Sequence, residues 1–138
     1  MSEVVEAANT ALYAALESAD VDAMAAVWDD AASDDVVCVH PGWPMLRGRS
    51  QVLRSFSAIM ANTPYIQFFL TDVHVAVTGD VATVTCTENI LTSVSEDDSS
   101  VQVVATNVFV RRGEDWRLLI HHGSPVLGSV EEVDDDGQ

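Results

Sequence analysis

The spacing of apolar residues changes at Ile66, and this change limits what the 138-residue chain can fold into. Before it, residues 3–18 carry apolar side chains at helical spacing, and two later segments repeat that pattern. After it, four runs alternate apolar and polar residues as strands do, with turns at Gly79-Asp80 and Gly113-Glu114-Asp115. One further strand, VVCVH, precedes the third helix. Helices followed by a long antiparallel meander predict a single α+β domain.

The charge balance is strongly acidic and excludes several kinds of partner. The chain has 22 acidic residues against 6 arginines and no lysine, a formal net charge of −16. Phosphate backbones and anionic membrane surfaces are recognised by clustered cations, so neither nucleic acid nor a membrane is expected as a partner. Strong acidity without lysine is typical of proteins from salt-loving organisms, in which salt screens the surface carboxylates. The composition therefore predicts a halophilic protein.

The apolar runs and the two ends of the chain indicate the cellular location and the boundaries of the domain. No apolar run approaches the roughly 20 residues of a membrane span, and the N-terminus MSEVVEAANT lacks the basic region of a signal peptide. We therefore predict a cytoplasmic protein. Residues 1–128 form the predicted domain, and the acidic segment 129–138 is a predicted disordered tail. Cys38 and Cys86 lie in apolar runs without metal-binding spacing, which predicts buried free thiols.

Three segments resemble the nuclear-transport-factor-2-like superfamily, and specifically its SnoaL-like branch. They are DDVVCVHPGWPMLRGRSQVL, VTCTENI and NVFVRRGEDWRLLIHHGSP. The resemblance implies a cone, in which a strongly curved antiparallel sheet wraps around the N-terminal helices and leaves a pocket at the open end. It also implies a homodimer formed through the convex sheet face. The superfamily includes isomerases, dehydratases, cyclases and oligomerisation modules, so the fold leaves the function open.

Side chains alternate across a strand, so position along each strand selects the residues of the implied pocket. In the VTCTENI run, Glu88 shares its face with apolar residues, and Asn107 does so in the following strand. His40 ends the first strand, near the expected pocket mouth. For the last strand, the resemblance implies that His122 faces the cone and His121 faces outward. The inward set of that strand is then Trp116, Leu118, Ile120, His122 and Ser124.

A carboxylate on an apolar face is costly to bury in its ionised form, so Glu88 needs a partner. Beside His122 or His40 it is a candidate general acid or base, and Asn107 is a candidate for orienting a carbonyl or enolate oxygen. The same groups also fit a satisfied polar network that only shapes the pocket, and both interpretations stay open. The residues predicted to bind the ligand are Trp28, Trp43, Tyr65, Asn107, Phe109 and Ser124.

No metal or cofactor is predicted. His40, His122 and Glu88 are ligand types that suit iron or zinc, but they are dispersed and form no HxH or HExxH signature. The strands also carry no Tyr-plus-Asp pair of the kind used by the steroid-isomerase branch, since Tyr13 lies on the first helix. Trp43, between a glycine and a proline, fits either a packing lid or a stacking surface for a planar ligand.

Three classes of function compete. The first is a protein that binds a small, largely apolar molecule in the cone pocket, with or without chemistry. The second is a lyase or isomerase that uses a Glu–His pair for proton transfer. The third is an association module, in which the sheet face matters and the pocket is incidental.

Overall fold

The computed structural model describes residues 2–94 and 97–127. The predicted tail and the end of the predicted domain at residue 128 lie outside them. None of the described helices is long and apolar enough to cross a membrane. The elements in chain order are α1 (Ser2–Ser18), α2 (Val21–Val27), a 3₁₀ turn (Ser33–Asp35), β1 (Val37–Val39), β2 (Leu46–Arg47), α3 (Arg49–Asn62), β3 (Tyr65–Thr78), β4 (Val81–Val94), β5 (Asp97–Arg112) and β6 (Asp115–Pro125).

The helices form where apolar spacing and capping residues favour them. In α1 the buried side chains recur every three or four positions, so one face packs on the sheet. Asp20 caps α2, because its carboxylate accepts a hydrogen bond of 3.0 Å from the Ala23 backbone amide. Gly48 precedes α3 at a φ of +97°, a conformation that side chains resist. All three predicted helices are confirmed.

The strands form one six-stranded sheet in the order β2-β1-β6-β5-β4-β3. Neighbouring strands are antiparallel except β1 and β6, which run parallel with Val37 opposite Ile120. Gly79 and Gly113 turn the β3–β4 and β5–β6 hairpins at positive φ, as predicted. The described part of the polar segment SEDDSS, from Asp97 onward, belongs to β5. The α+β cone fold is confirmed.

The core lies between the helices and the inner face of the sheet. Trp28 is almost fully buried, with its ring centroid 5.9 Å from that of Phe56. Its backbone forms an isolated bridge with Leu118 of β6. Beside it, buried Asp29 accepts hydrogen bonds of 2.7 and 2.9 Å from the Arg112 guanidinium, which lowers the pKa of that carboxyl. This ion pair joins the end of α2 to the end of β5.

A β-bulge in β6 changes which side chains face the cone. Val108 pairs with Ile120 and Phe109 pairs with Leu118, so Leu119 is an extra residue without a partner of its own. Before the bulge Trp116 and Leu118 are buried as predicted. After it the alternation is inverted, so His121 is buried and His122 is exposed. The inward orientation predicted for His122 and Ser124 is therefore wrong.

Candidate functional site

A cavity of about 200 Å³ lies between α1, α3 and the inner face of the sheet. Most of its wall is apolar, and the polar side chains gather in one region of it. Trp43 lines it while remaining 43% exposed, so this indole lies at the opening. The lining residues are Leu12, Tyr13, Leu16, His40, Pro41, Trp43, Phe56, Ile59, Ile66, Phe68, Glu88, Ile90 and His121.

A second, larger depression of about 540 Å³ lies at the surface along the first turns of α3. Serines and the side chains of Arg49 and Arg54 line it, and it contains none of the predicted site residues. The buried chemistry lies in the smaller cavity.

Glu88 is the acid of the cavity, and the side chain is only 3% exposed. Its Oε2 accepts a hydrogen bond of 2.6 Å from the Tyr13 hydroxyl. Among the residues described, Glu88 forms no ion pair. Burial raises the pKa of this carboxyl to about 7, and the Tyr13 hydrogen bond offsets part of that increase. Glu88 therefore changes its protonation state near neutral pH.

Tyr13 reaches Glu88 from α1, and its hydrogen bonds fix where its proton lies. The Asn107 amide nitrogen donates to the Tyr13 oxygen at 3.1 Å and to Asn9 Oδ1 at 2.8 Å. Because Tyr13 accepts from Asn107, its own proton is directed at Glu88. Burial, followed by the negative charge of Glu88, raises the pKa of Tyr13 far above its ordinary value. Tyr13 thus stays protonated.

His121 is held in one neutral form by Asn107. Its Nδ1 lies 2.5 Å from Asn107 Oδ1, and an amide oxygen only accepts, so the ring carries its proton on Nδ1. The Nε2 is then an acceptor on a ring that lines the cavity. Burial is the main cause that lowers the pKa of His121 to about 3, and the neighbouring His40 and His122 contribute.

His40 is the second neutral imidazole, with its tautomer set by Ser55. The Ser55 hydroxyl donates its only proton to the Val52 carbonyl at 2.6 Å, so it must accept from His40 Nε2 at 2.8 Å. The ring packs edge-on against Trp43 and Phe56, with centroids 4.7 and 4.8 Å apart. Burial lowers the pKa of His40 to about 4. Its Nδ1 therefore carries the lone pair at neutral pH, and the Cys38 sulfur lies 3.8 Å from it.

The positions of the protons determine which groups of the cavity can take part in chemistry. The Tyr13 proton and one proton on each imidazole are committed to protein acceptors, so Glu88 holds the proton that can be gained or lost near pH 7. Both imidazoles can accept a proton or a hydrogen bond. No group of three His, Cys, Asp or Glu side chains within the described ranges is placed to hold a metal ion.

The structure brings together part of the predicted site. Glu88, His40 and Trp43 line the cavity, and Asn107 lies behind Tyr13. Trp28 and Phe109 are buried in the core and do not line it. The other predicted contacts lie elsewhere: Tyr65 is exposed and bonds Gln67, and His122 and Ser124 face outward.

Sequence reasoning missed Tyr13, Asn9 and His121. A signal for the first two was present, because Asn9 and Tyr13 are polar residues four positions apart within the apolar stripe of α1. Such spacing places both side chains on one helix face, here the buried one. His121 was assigned outward because nothing in the sequence marks the bulge at Leu119. Cys38 and Cys86 are buried free thiols, as predicted.

The SnoaL-like domain family matches residues 5–128. A solved structure from Streptomyces avermitilis, described as a candidate dehydratase of the NTF2-like family, is 54% identical. The match covers 92% of this chain and 96% of that one, with a TM-score of 0.86. A search of curated protein sequences finds no match.

Two further solved structures are similar to this chain. One from Thiobacillus denitrificans, described as a candidate association domain of calcium/calmodulin-dependent protein kinase type II, is 32% identical. It covers 88% of this chain and 94% of that one, with a TM-score of 0.78. An NTF2-like protein with a cystatin-like fold from Novosphingobium aromaticivorans is 22% identical over 94% of this chain and 84% of that one, with a TM-score of 0.73. At that identity the last match supports the fold alone.

Proposed function

The chain belongs to the SnoaL-like domain family, and we propose that its cavity binds a small, largely apolar molecule whose polar end meets Glu88. One observation carries this proposal. A buried carboxyl group faces an otherwise apolar cavity with one oxygen bonded to Tyr13 and, among the described residues, no partner for the other. The cavity of about 200 Å³ is smaller than the roughly 300–1,000 Å³ of sites for drug-sized ligands, which indicates a small ligand.

The competing interpretation is a polar network that only shapes the cone. Such a network pairs its members with one another. Asn107, Tyr13 and His121 do so, but among the described residues Glu88 receives only the Tyr13 hydrogen bond. The network therefore supports Glu88 from behind and leaves it able to contact a ligand.

Binding can be tested by titrating ¹⁵N-labelled protein with cyclohexanol, a small apolar probe with one polar group. We expect chemical-shift changes at the amides around the cavity, including Ile90 and Phe68. Trp43→Ala alters the opening and should change the affinity, whereas His122→Ala on the outer face is the matched control. Shift changes confined to the outer face, or none at all, would contradict the proposal.

Proton-transfer chemistry is the second candidate, and the 54%-identical relative described as a candidate dehydratase favours it. In a dehydration, one imidazole would take the proton next to a carbonyl while protonated Glu88 gives its proton to the departing hydroxyl. The C–H and C–O bonds break, a C=C bond forms, and water leaves. The pKa of about 7 for Glu88 and of about 4 for His40 would confine activity to the range between them.

The dehydratase candidate can be tested with β-hydroxy carbonyl compounds, following loss of water by mass spectrometry. We expect Glu88→Gln to fold and to lose turnover, with binding of the same compounds retained. A wild-type rate that stays constant from pH 5 to pH 9 would argue against Glu88 as the acid, since its carboxyl titrates near pH 7.

Association through the outer sheet face is a third component of the proposal. Phe69 and Val104 are 53% and 49% exposed on that face, and the 32%-identical relative is described as a candidate association domain. Exposed apolar residues on a sheet face favour burial against a second copy. We expect a homodimer by light scattering and a monomer for Val104→Glu, with Val4→Glu on the exposed side of α1 as control. A monomeric wild-type protein would refute it.

A further inference from the structure

We propose that the molecule bound in this cavity is a small organic amine, held as an ammonium ion paired with Glu88. The inference rests on the binding function proposed above and adds the charge of the ligand. Its basis is a buried carboxyl group that has no positive partner among the described residues, in a cavity with aromatic walls. The missing counter-charge is assigned to the ligand.

The groups around Glu88 supply no positive charge of their own. Tyr13 on α1 donates a neutral hydroxyl. His40, after β1, and His121 on β6 are neutral at neutral pH, because burial in the cavity lowers the pKa of both imidazoles. The thiols of Cys38 on β1 and Cys86 on β4 are buried and protonated, because burial raises the pKa of both. No arginine of the described part of the chain lines the cavity.

The walls suit a cation. Ammonium groups are attracted to the faces of aromatic rings within about 6 Å of the ring centre. Trp43 lies at the opening, and Tyr13, Phe56 and Phe68 line the interior. The rings of Tyr13 and Phe68 are only 5.0 Å apart, so together they form one aromatic surface beside Glu88.

The net charge of the whole chain also favours a cationic ligand. A net charge of −16 attracts small cations and repels small anions before they reach the opening. An anionic ligand would also meet no cation among the described lining residues to replace its lost hydration. Carboxylates and phosphates are therefore the ligands that this cavity rejects.

Proton linkage gives the inference a direct signature. An ammonium ion pairs with the ionised form of Glu88, so binding competes with the proton that this carboxyl holds below a pKa of about 7. Affinity for an amine should therefore fall as the pH drops through that value, approaching about tenfold per pH unit. A neutral ligand shows no such loss.

The test uses three probes that share one ring and differ in charge: benzylamine, benzyl alcohol and benzoate. Binding is measured by calorimetry about one pH unit above and about two units below the Glu88 pKa. At the higher pH we expect benzylamine to bind at least about tenfold more tightly than benzyl alcohol and benzoate not to bind. At the lower pH the advantage of the amine should disappear.

Two variants separate the charge of Glu88 from the charge of the surface. Glu88→Gln should abolish the preference for the amine while benzyl alcohol still binds. Glu6→Gln removes an equal charge from the exposed side of α1 and should leave the preference unchanged.

Each remaining outcome is decisive. Equal, pH-independent binding of benzylamine and benzyl alcohol would refute the amine inference and leave the proposed binding function standing. Tightest binding by benzoate would overturn the charge argument. If none of the three bound, the proposed function itself would fail.

Discussion

Replacing Glu88 with Gln is expected to stabilise the folded protein above neutral pH. Burial raises the pKa of Glu88 from 4.5 to about 7 on folding. Between these values the folded protein holds a proton that the unfolded chain has lost. The stability that this protonated carboxyl contributes is fully present below pH 4.5 and is lost as the pH rises through about 7. At about 1.4 kcal/mol per unit, the loss amounts to about 3 kcal/mol.

The pH dependence of wild-type stability alone does not isolate the contribution of Glu88, because two histidines change the stability in the opposite direction. Folding lowers the pKa of His40 from 6.5 to about 4 and that of His121 from 6.5 to about 3. Their contribution is present above pH 6.5 and is lost as the pH falls toward the folded values. The difference between Glu88→Gln and wild type cancels both histidines, since they are common to the two proteins.

The assay is urea unfolding followed by circular dichroism at a series of pH values. The variant's unfolding free energy, minus that of the wild type, should rise by about 3 kcal/mol from below pH 4.5 to above pH 7. In thermal unfolding this corresponds to a relative gain of roughly 10 °C. Glu6→Gln is the matched control. A flat difference curve for Glu88→Gln would show that Glu88 is not a carboxyl buried without a counter-ion, and an equal rise in the control would assign the effect to net charge.

Three further predictions concern Tyr13, Gly123 and the net charge. Tyr13→Phe removes the hydrogen bond that lowers the pKa of Glu88, so that pKa should rise above about 7 when the carboxyl is followed by ¹³C NMR; an unchanged value would contradict the contact. Gly123→Ala would place its new Cβ 3.1 Å from Val103 Cγ1 and 3.2 Å from Pro41 Cγ, and urea unfolding should show a loss of about 1–3 kcal/mol. Because the net charge is −16, added sodium chloride should raise the thermal midpoint, and a midpoint independent of salt would argue against the predicted halophilic character.

The order of helices and strands was predictable because its information is local, whereas the cone was expected from the resemblance to the SnoaL-like family. Helical spacing, the cap at Asp20 and the hairpin turns at Gly79 and Gly113 each depend on neighbouring residues. The parallel pairing of β1 with β6 was not predictable from spacing, since it joins Val37 to Ile120 across most of the chain. The cytoplasmic location remains a prediction from composition.

The site was predictable only in part, for a similar reason. Alternation along β4 and β5 correctly placed Glu88 and Asn107 inside, because those strands pair without interruption. Their contacts depend on α1, and no local pattern shows which strand residue faces Tyr13. The partner expected for Glu88 was an imidazole, whereas the structure provides a phenol.

The bulge at Leu119 explains why His121 and His122 were assigned to the wrong faces of β6, and it also helps to build the site. Without the extra residue, alternation would direct His122 into the cone and His121 out of it. With it, His121 lies opposite Asn107, whose amide fixes the imidazole tautomer and, through Tyr13, directs a proton at Glu88. One irregular residue therefore brings the imidazole into the same network as the acid. Bulges commonly reorient side chains beside functional sites, and here the reoriented side chain completes the polar end of the cavity.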